Sequence, residues 1–285
     1  MFLQAELGHA AEQAANAAGH EESAGDAIIH EVTNSDVWHF FSNIEIHLPK
    51  IHLFGIDLSI SLHVVMLWIS AILVFLLFRG MARSMSKDSD RMAHGGFALL
   101  EMLVLFVRDE IAITTMGEKI GRRMMSLILT FFFFILTCNL LGLFPFLSTP
   151  TGNINVTAGL ALITFIMIQI QGMRENGILG YWKSLVPPGI PAAVIPLMIP
   201  VEFIGLFTKP FALCMRLFAN MIAGHMVIYS FLALIFILGT IVVAPFSVGF
   251  AIFIFLLELL VAFIQAYIFA MLTGLFIGMA AHPEH

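Results

Sequence analysis

The sequence predicts an all-α polytopic membrane protein: about three spans, one interfacial helix and two long, strongly tilted antiparallel helices. Three observations carry this. Of the 285 residues, 60% are hydrophobic and 11% are charged, with a mean hydropathy of +0.97. A soluble domain of that length exposes far more charge. The apolar residues fall in runs long enough for ~30 Å of hydrocarbon. The charges are segregated, with nine Asp/Glu against Lys50 alone in residues 1–60, and eight of the 13 Lys/Arg between Arg79 and Arg123.

Residues 1–59 read as an acidic, polar extramembrane arm, and residues 60–285 as the membrane domain. The seven His between His9 and His63 lack the spacing of a metal site, so a solvated tail is expected there. The N-terminus has neither the basic segment and apolar run of a secretory signal nor the basic character of a mitochondrial transit peptide. Insertion is therefore expected to be directed by the spans themselves. The first span is ISLHVVMLWISAILVFLLF, residues 60–78, followed at once by Arg79, Arg83, Lys87 and Arg91. The positive-inside rule places that end in the cytoplasm and the arm outside.

Residues 95–121 mix apolar runs with Glu101, Arg108, Asp109, Glu110, Glu118 and Lys119, the pattern of a helix lying at the interface. Arg122 and Arg123 anchor a second span at about 125–147, and LSTPTGNIN (147–155) reads as an outer turn. A third span at about 156–173 returns to Arg174 and Lys183 on the cytoplasmic side. Two longer apolar stretches follow, at about 196–238 and 246–281, with a turn at 239–245. As helices they would measure roughly 65 and 54 Å, which implies strong tilt or a break. Pro200 and Pro210 are candidate kinks in the first. Cys138 and Cys214 sit in separate apolar segments and read as packing residues.

Few polar groups interrupt the last two helices: Glu202, Lys209, Arg216, Asn220, His225, Glu258 and Gln265. Such groups at membrane depth face a protein interior or a water-filled path by default. If the helices run antiparallel about their turn, Arg216 falls level with Gln265, and His225 with Glu258. Arg216 and Asn220 share a helical face, as do Glu258 and Gln265. His225 lies about 13 Å beyond Arg216 and Glu202 about 21 Å before it, so titratable groups flank one fixed cation on both sides. Arg does not lose its proton at accessible pH and cannot conduct. It repels an excess proton and draws one off a carboxyl group brought near. Glu and His can relay protons once burial and pairing bring their affinities toward neutrality. Asn220 and Gln265 can orient water or the guanidinium.

Blander readings stand beside these. An intramembrane His–Glu pair also serves as a structural hydrogen bond, Lys209 reads as a snorkelling side chain, and the Gly274/Gly278 GxxxG reads as close helix packing. A self-contained proton-coupled secondary transporter is the alternative function, but the inverted repeats it calls for are not found. HExxH and GxSG-type protease sites are absent, as is a GxxxxGK[ST] nucleotide loop.

PFALCMRLFANMIAGHMV (210–227) and LLELLVAFIQAYIFAMLTGLFIG (256–278) resemble the subunit a family of F-type ATP synthases. NLLGLFPF (139–146), TPTGNINVT (149–157) and FVRDEIA (106–112) extend the resemblance to about residues 60–280. The resemblance implies a stator subunit with no catalytic ATP site and no cofactor or metal, sitting in a bacterial inner membrane with its N-terminus periplasmic and its C-terminus cytoplasmic. Its implied partners are a c-subunit ring, b-type peripheral stalk subunits, the soluble ATPase sector indirectly and the lipid bilayer; no nucleic acid is implied. Arg216 would face the ring, accompanied by Gln265 and Asn220. His225 and Glu258 would form the outer half-channel and Glu202 the cytoplasmic one. Some members carry an Asp where this chain has Gly142, so Asn153, Asn155 or water would line that part of the path.

Overall fold

The computed structural model describes residues 37–39, 45–47, 52–53, 56–57, 61–87, 96–144, 147–184, 194–238 and 244–282. Residues 1–36 of the arm and 239–243 of the expected turn lie outside them. Five helices are long and apolar enough to cross a membrane by length and composition, and the chain is an all-α polytopic membrane protein. Two short antiparallel strand pairs precede the helices. β1 (Val37–His39) pairs with β2 (Glu45–His47), and β3 (His52–Leu53) with β4 (Ile56–Asp57).

The helices are α1 (Leu62–Lys87), α2 (Gly96–Phe106), α3 (Thr114–Gly142), α4 (Ile154–Asn176), α5 (Ile178–Ser184), α6 (Ile195–Leu238) and α7 (Ala244–Ala281). Wide π-type turns over Val107–Ile113 join α2 to α3. The chain divides into two compact units, and the division crosses both long helices. One unit takes in Met1–Val65 and Asn220–Val261; the other takes in Met66–Ala219 and Ala262–His285.

In the second unit, the Ala98–Gly142 stretch is 45 residues long but is not one rod. Gly117 has φ 74° and ψ 165°, a backbone state that a Cβ disfavours. Residues nine apart in a straight helix are separated by ~13.5 Å. A Cβ on Gly121 would nonetheless meet the Ala112 carbonyl oxygen at 2.6 Å and Ile113 Cα at 3.1 Å. The chain therefore doubles back at Gly117. The sequence reading carried one interfacial helix to about residue 121; the backbone break falls before it.

The Phe run of α3 organises the packing around this bend. Phe133 meets Phe78 of α1 edge-on at 5.1 Å, while Phe131 and Phe132 meet Phe269 and Phe263 of α7 at 5.4 and 5.7 Å. Adjacent positions on a helix point about 100° apart, so one tetrad of aromatics reaches two neighbours. Lipid supplies little hydrophobic drive between helices, which leaves interlocked side chains and close backbones to hold them. Gly274 and Gly278 of α7 supply the second: a Cβ at either would run into Thr115. At the other end of the unit, Asn176 Nδ2 donates to the Ala280 and Ala281 carbonyls at 3.0 and 3.3 Å. It thereby satisfies groups that the end of α7 would otherwise leave bare.

α6 and α7 have 44 and 38 residues, roughly 66 and 57 Å of helix, about twice the hydrocarbon thickness. α6 continues through both Pro200 and Pro210. Within the first unit the two helices are antiparallel. His225 lies against Glu258, and Phe231, six residues on, stacks on Phe250, eight residues back, at 5.4 Å.

Candidate functional site

The first unit brings together His225 and Glu258. His225 Nδ1 lies 2.7 Å from Glu258 Oε1 and 2.9 Å from the Met221 carbonyl oxygen one turn back. A carbonyl only accepts, so Nδ1 carries a proton, and whenever the ring is neutral Nε2 is its basic nitrogen. The Glu258 side chain is 3% exposed and that of His225 19%. The carboxylate is thus enclosed while the ring remains reachable from one side. Tyr229 lies one turn beyond His225, ring centroids 6.4 Å apart.

The second unit holds Arg216, Gln265 and Glu202. Gln265 is 2% exposed, and Glu202 is half-buried. Arg216 is exposed and joins no hydrogen bond or ion pair among the described residues. Its flanks Leu213, Cys214 and Leu217 are buried, so the guanidinium emerges from an otherwise packed stretch of α6. Within the same unit its neighbours Ala212 and Ala219 are small and exposed. Lys209 is half-buried, with its ammonium 5.6 Å from the centre of the Phe276 ring. A cation–π contact therefore accompanies whatever reach it has toward an interface. Cys214 packs against Thr157, Sγ to Oγ1 3.4 Å.

This arrangement sits within a recognisable chain. The family model for the ATP synthase A chain matches residues 64–278. The chain belongs to that family. It is similar to ATP synthase subunit a of Chloroherpeton thalassium, 50% identical over 268 residues, covering 93% of this chain and 80% of the relative. ATP synthase subunit a of Myxococcus xanthus is 53% identical over 231 residues, covering 81% and 75%. ATP synthase subunit a 2 of Prosthecochloris aestuarii is 48% identical over 278 residues, covering 96% and 85%. As a member of the ATP synthase A chain family, the protein is a multi-pass bacterial membrane protein and a proton-channel subunit of the F-type ATP synthase.

Two features of this family member escaped the sequence reading. Gly224 lies directly beneath the carboxyl group of Glu258. A Cβ there would come within 2.7 Å of Oε1 and 2.8 Å of Cδ, so the enclosed carboxylate occupies the space of a missing side chain. Its position next to His225 in AGHM was the available signal. The second concerns Gly142, where the place of a side chain is filled by Thr149. The 147–153 turn is seated on the end of α3 rather than standing clear of it: Thr149, Pro150 and Thr151 are all buried. Asn153, which with Asn155 or water is a candidate to line the path here, caps α4 by accepting from the Asn155 amide at 2.9 Å.

Proposed function

We propose that this chain is the stator subunit that passes protons to and from a rotating c-ring carboxylate through two offset half-channels, with Arg216 as the barrier between them. The observation that carries the reading is the exposed guanidinium of Arg216 within an apolar helix, unpaired among the described residues. A cation in that position is too costly to leave facing lipid. The small side chains around it allow another helix to approach closely. A carboxylate arriving on such a helix is the group that satisfies it, and the c ring is the partner of that kind. Peripheral stalk subunits of b type would hold the chain against the torque and link it to the soluble ATPase sector.

The outer path runs through His225 and Glu258. A proton from the periplasmic side lands on His225 Nε2, and the resulting imidazolium passes its Nδ1 proton to Glu258, 2.7 Å away. The proton moves on to a ring carboxylate, which thereby becomes neutral and able to travel through lipid. After a near-full turn that carboxyl group meets Arg216 from the other side. The guanidinium favours the ionised form, and the proton leaves toward the cytoplasm past Glu202. Arg216 stays protonated throughout, while Asn220 and Gln265 orient it and nearby water. The basic residues after α1 favour a periplasmic N-terminus and a cytoplasmic C-terminus.

Arg216→Ala tests the reading. Proton-driven ATP synthesis in inverted vesicles is expected to vanish, while passive proton conductance through the membrane sector is retained or increased. Synthesis retained in fully assembled Arg216→Ala complexes would overturn the mechanism.

A further inference from the structure

We propose that Asn139, oriented by Thr151, is a positioning residue that sets the register of α7 beside Gln265. The carboxamide of Asn139 is fully buried, on the α7-facing side of α3. Its Oδ1 accepts from Thr151 Oγ1 at 2.7 Å, and its Nδ2 donates to the Ala262 carbonyl at 3.3 Å. Ala262 lies one turn after Glu258 and three residues before Gln265, and it is the first residue that α7 contributes to the second unit.

Three features make this a built arrangement. An amide whose oxygen is fixed by a hydroxyl has its nitrogen aimed, because the two ends cannot rotate independently. The hydroxyl is itself delivered by the buried turn: Thr149 fills the space over Gly142, and Thr151 is brought down to Asn139, twelve residues earlier in sequence. The receiving carbonyl lies in mid-helix, where no bond beyond the helical one is required. A second donor there fixes the height and rotation of α7 rather than repairing an orphan group. Asn176 holds the same helix at Ala280 and Ala281, 18 residues or ~27 Å away. Between these two amides lies the segment that carries Gln265.

The proposal rests on the reading of Gln265 as the companion of Arg216, and the test separates the two. ATP-driven proton pumping per assembled complex is measured in membrane vesicles, with complex content scored independently. The variants are Asn139→Leu, Thr151→Val, Thr151→Ser and Gln265→Leu, with the doubles of Asn139→Leu. Asn139→Leu is expected to lower pumping per complex about fivefold, the factor carried by one net buried hydrogen bond. Thr151→Val should lower it less, and Thr151→Ser should restore it. Asn139→Leu combined with Thr151→Val or with Gln265→Leu should be no worse than the poorer single variant, since all act through one contact. A purely structural role would lower complex content and leave pumping per complex unchanged; that result overturns the proposal, as do multiplicative losses in the doubles. Normal pumping in Gln265→Leu would instead sink the reading of Gln265 itself. Should Asn139→Leu fail to assemble, the contrast between Thr151→Val and Thr151→Ser decides alone.

Discussion

Replacing Gly224 by alanine perturbs the proposed outer path by a single methyl group. That carbon would stand 2.7 Å from Glu258 Oε1 and 2.8 Å from Cδ, well inside the ~3.5 Å at which heavy-atom contacts become favourable. Relief requires the carboxyl group to retreat by about 0.7 Å. It is 3% exposed and in contact with His225 at 2.7 Å, so the retreat opens that pair to about 3.4 Å, too far for ready proton passage between them. Widening the one close polar contact of a buried carboxyl group costs about 1–3 kcal/mol, or about 5- to 150-fold in a rate that depends on it. Glycine to alanine within a helix otherwise favours the helix by up to ~1 kcal/mol, so complex content should hold. The assay is proton conductance of vesicles stripped of the soluble sector, normalised to membrane-sector content. Gly224→Ala should conduct poorly, and Glu258→Asp, whose side chain is shorter by one methylene, should relieve the clash. The double variant is then expected to match Glu258→Asp alone. Full conductance in Gly224→Ala, or a double variant worse than both singles, refutes the reasoning.

Further outcomes follow from other contacts. Exchanging His225 and Glu258 preserves one base and one acid at contact distance; it should retain more ATP-driven pumping than removing either group, and a double exchange worse than both removals breaks the relay pairing. Gly278→Ala drives a methyl into the Thr115 backbone carbonyl. Overpacking of this kind costs about 1–3 kcal/mol, so the variant should show lower complex content or a lower unfolding temperature in detergent. Gly117→Ala places a Cβ on a φ of 74°, a strain of about 1–2 kcal/mol; stability should fall in the same assay, with activity per surviving complex unchanged.

How much of this was legible in the sequence depends on whether position along the chain implied position in space. It did for His225 and Glu258. Two helices joined by one turn run antiparallel, so level follows from residue number, and the pair indeed meets at 2.7 Å. It did for the spacing of Gly274 and Gly278, although that spacing did not reveal Thr115 as the neighbour. The bend at Gly117 was not legible, because a glycine just before Glu118 and Lys119 suits a surface helix as well as a reversal, and the sign of φ leaves no mark on composition. The Thr151–Asn139–Ala262 chain joins three elements, so no local pattern announces it. The paired strands in the acidic arm were missed for another reason: segments of two or three residues are too short to show alternation.

The bare charge at Arg216 also bears on how the protein is made. A helix carrying an arginine at mid-length inserts at a penalty of about 2.5–3.5 kcal/mol, and Arg216 lies about 20 residues from either end of α6, too far for easy reach to an interface. If the ring is its partner as proposed, a copy without the ring leaves that charge with no counter-charge among the described residues. Unassembled chains would then be less secure in the membrane than assembled ones and more open to proteolysis. On the proposed reading, the group that partitions the proton path would also tie the lifetime of this subunit to the presence of its partner and match their amounts.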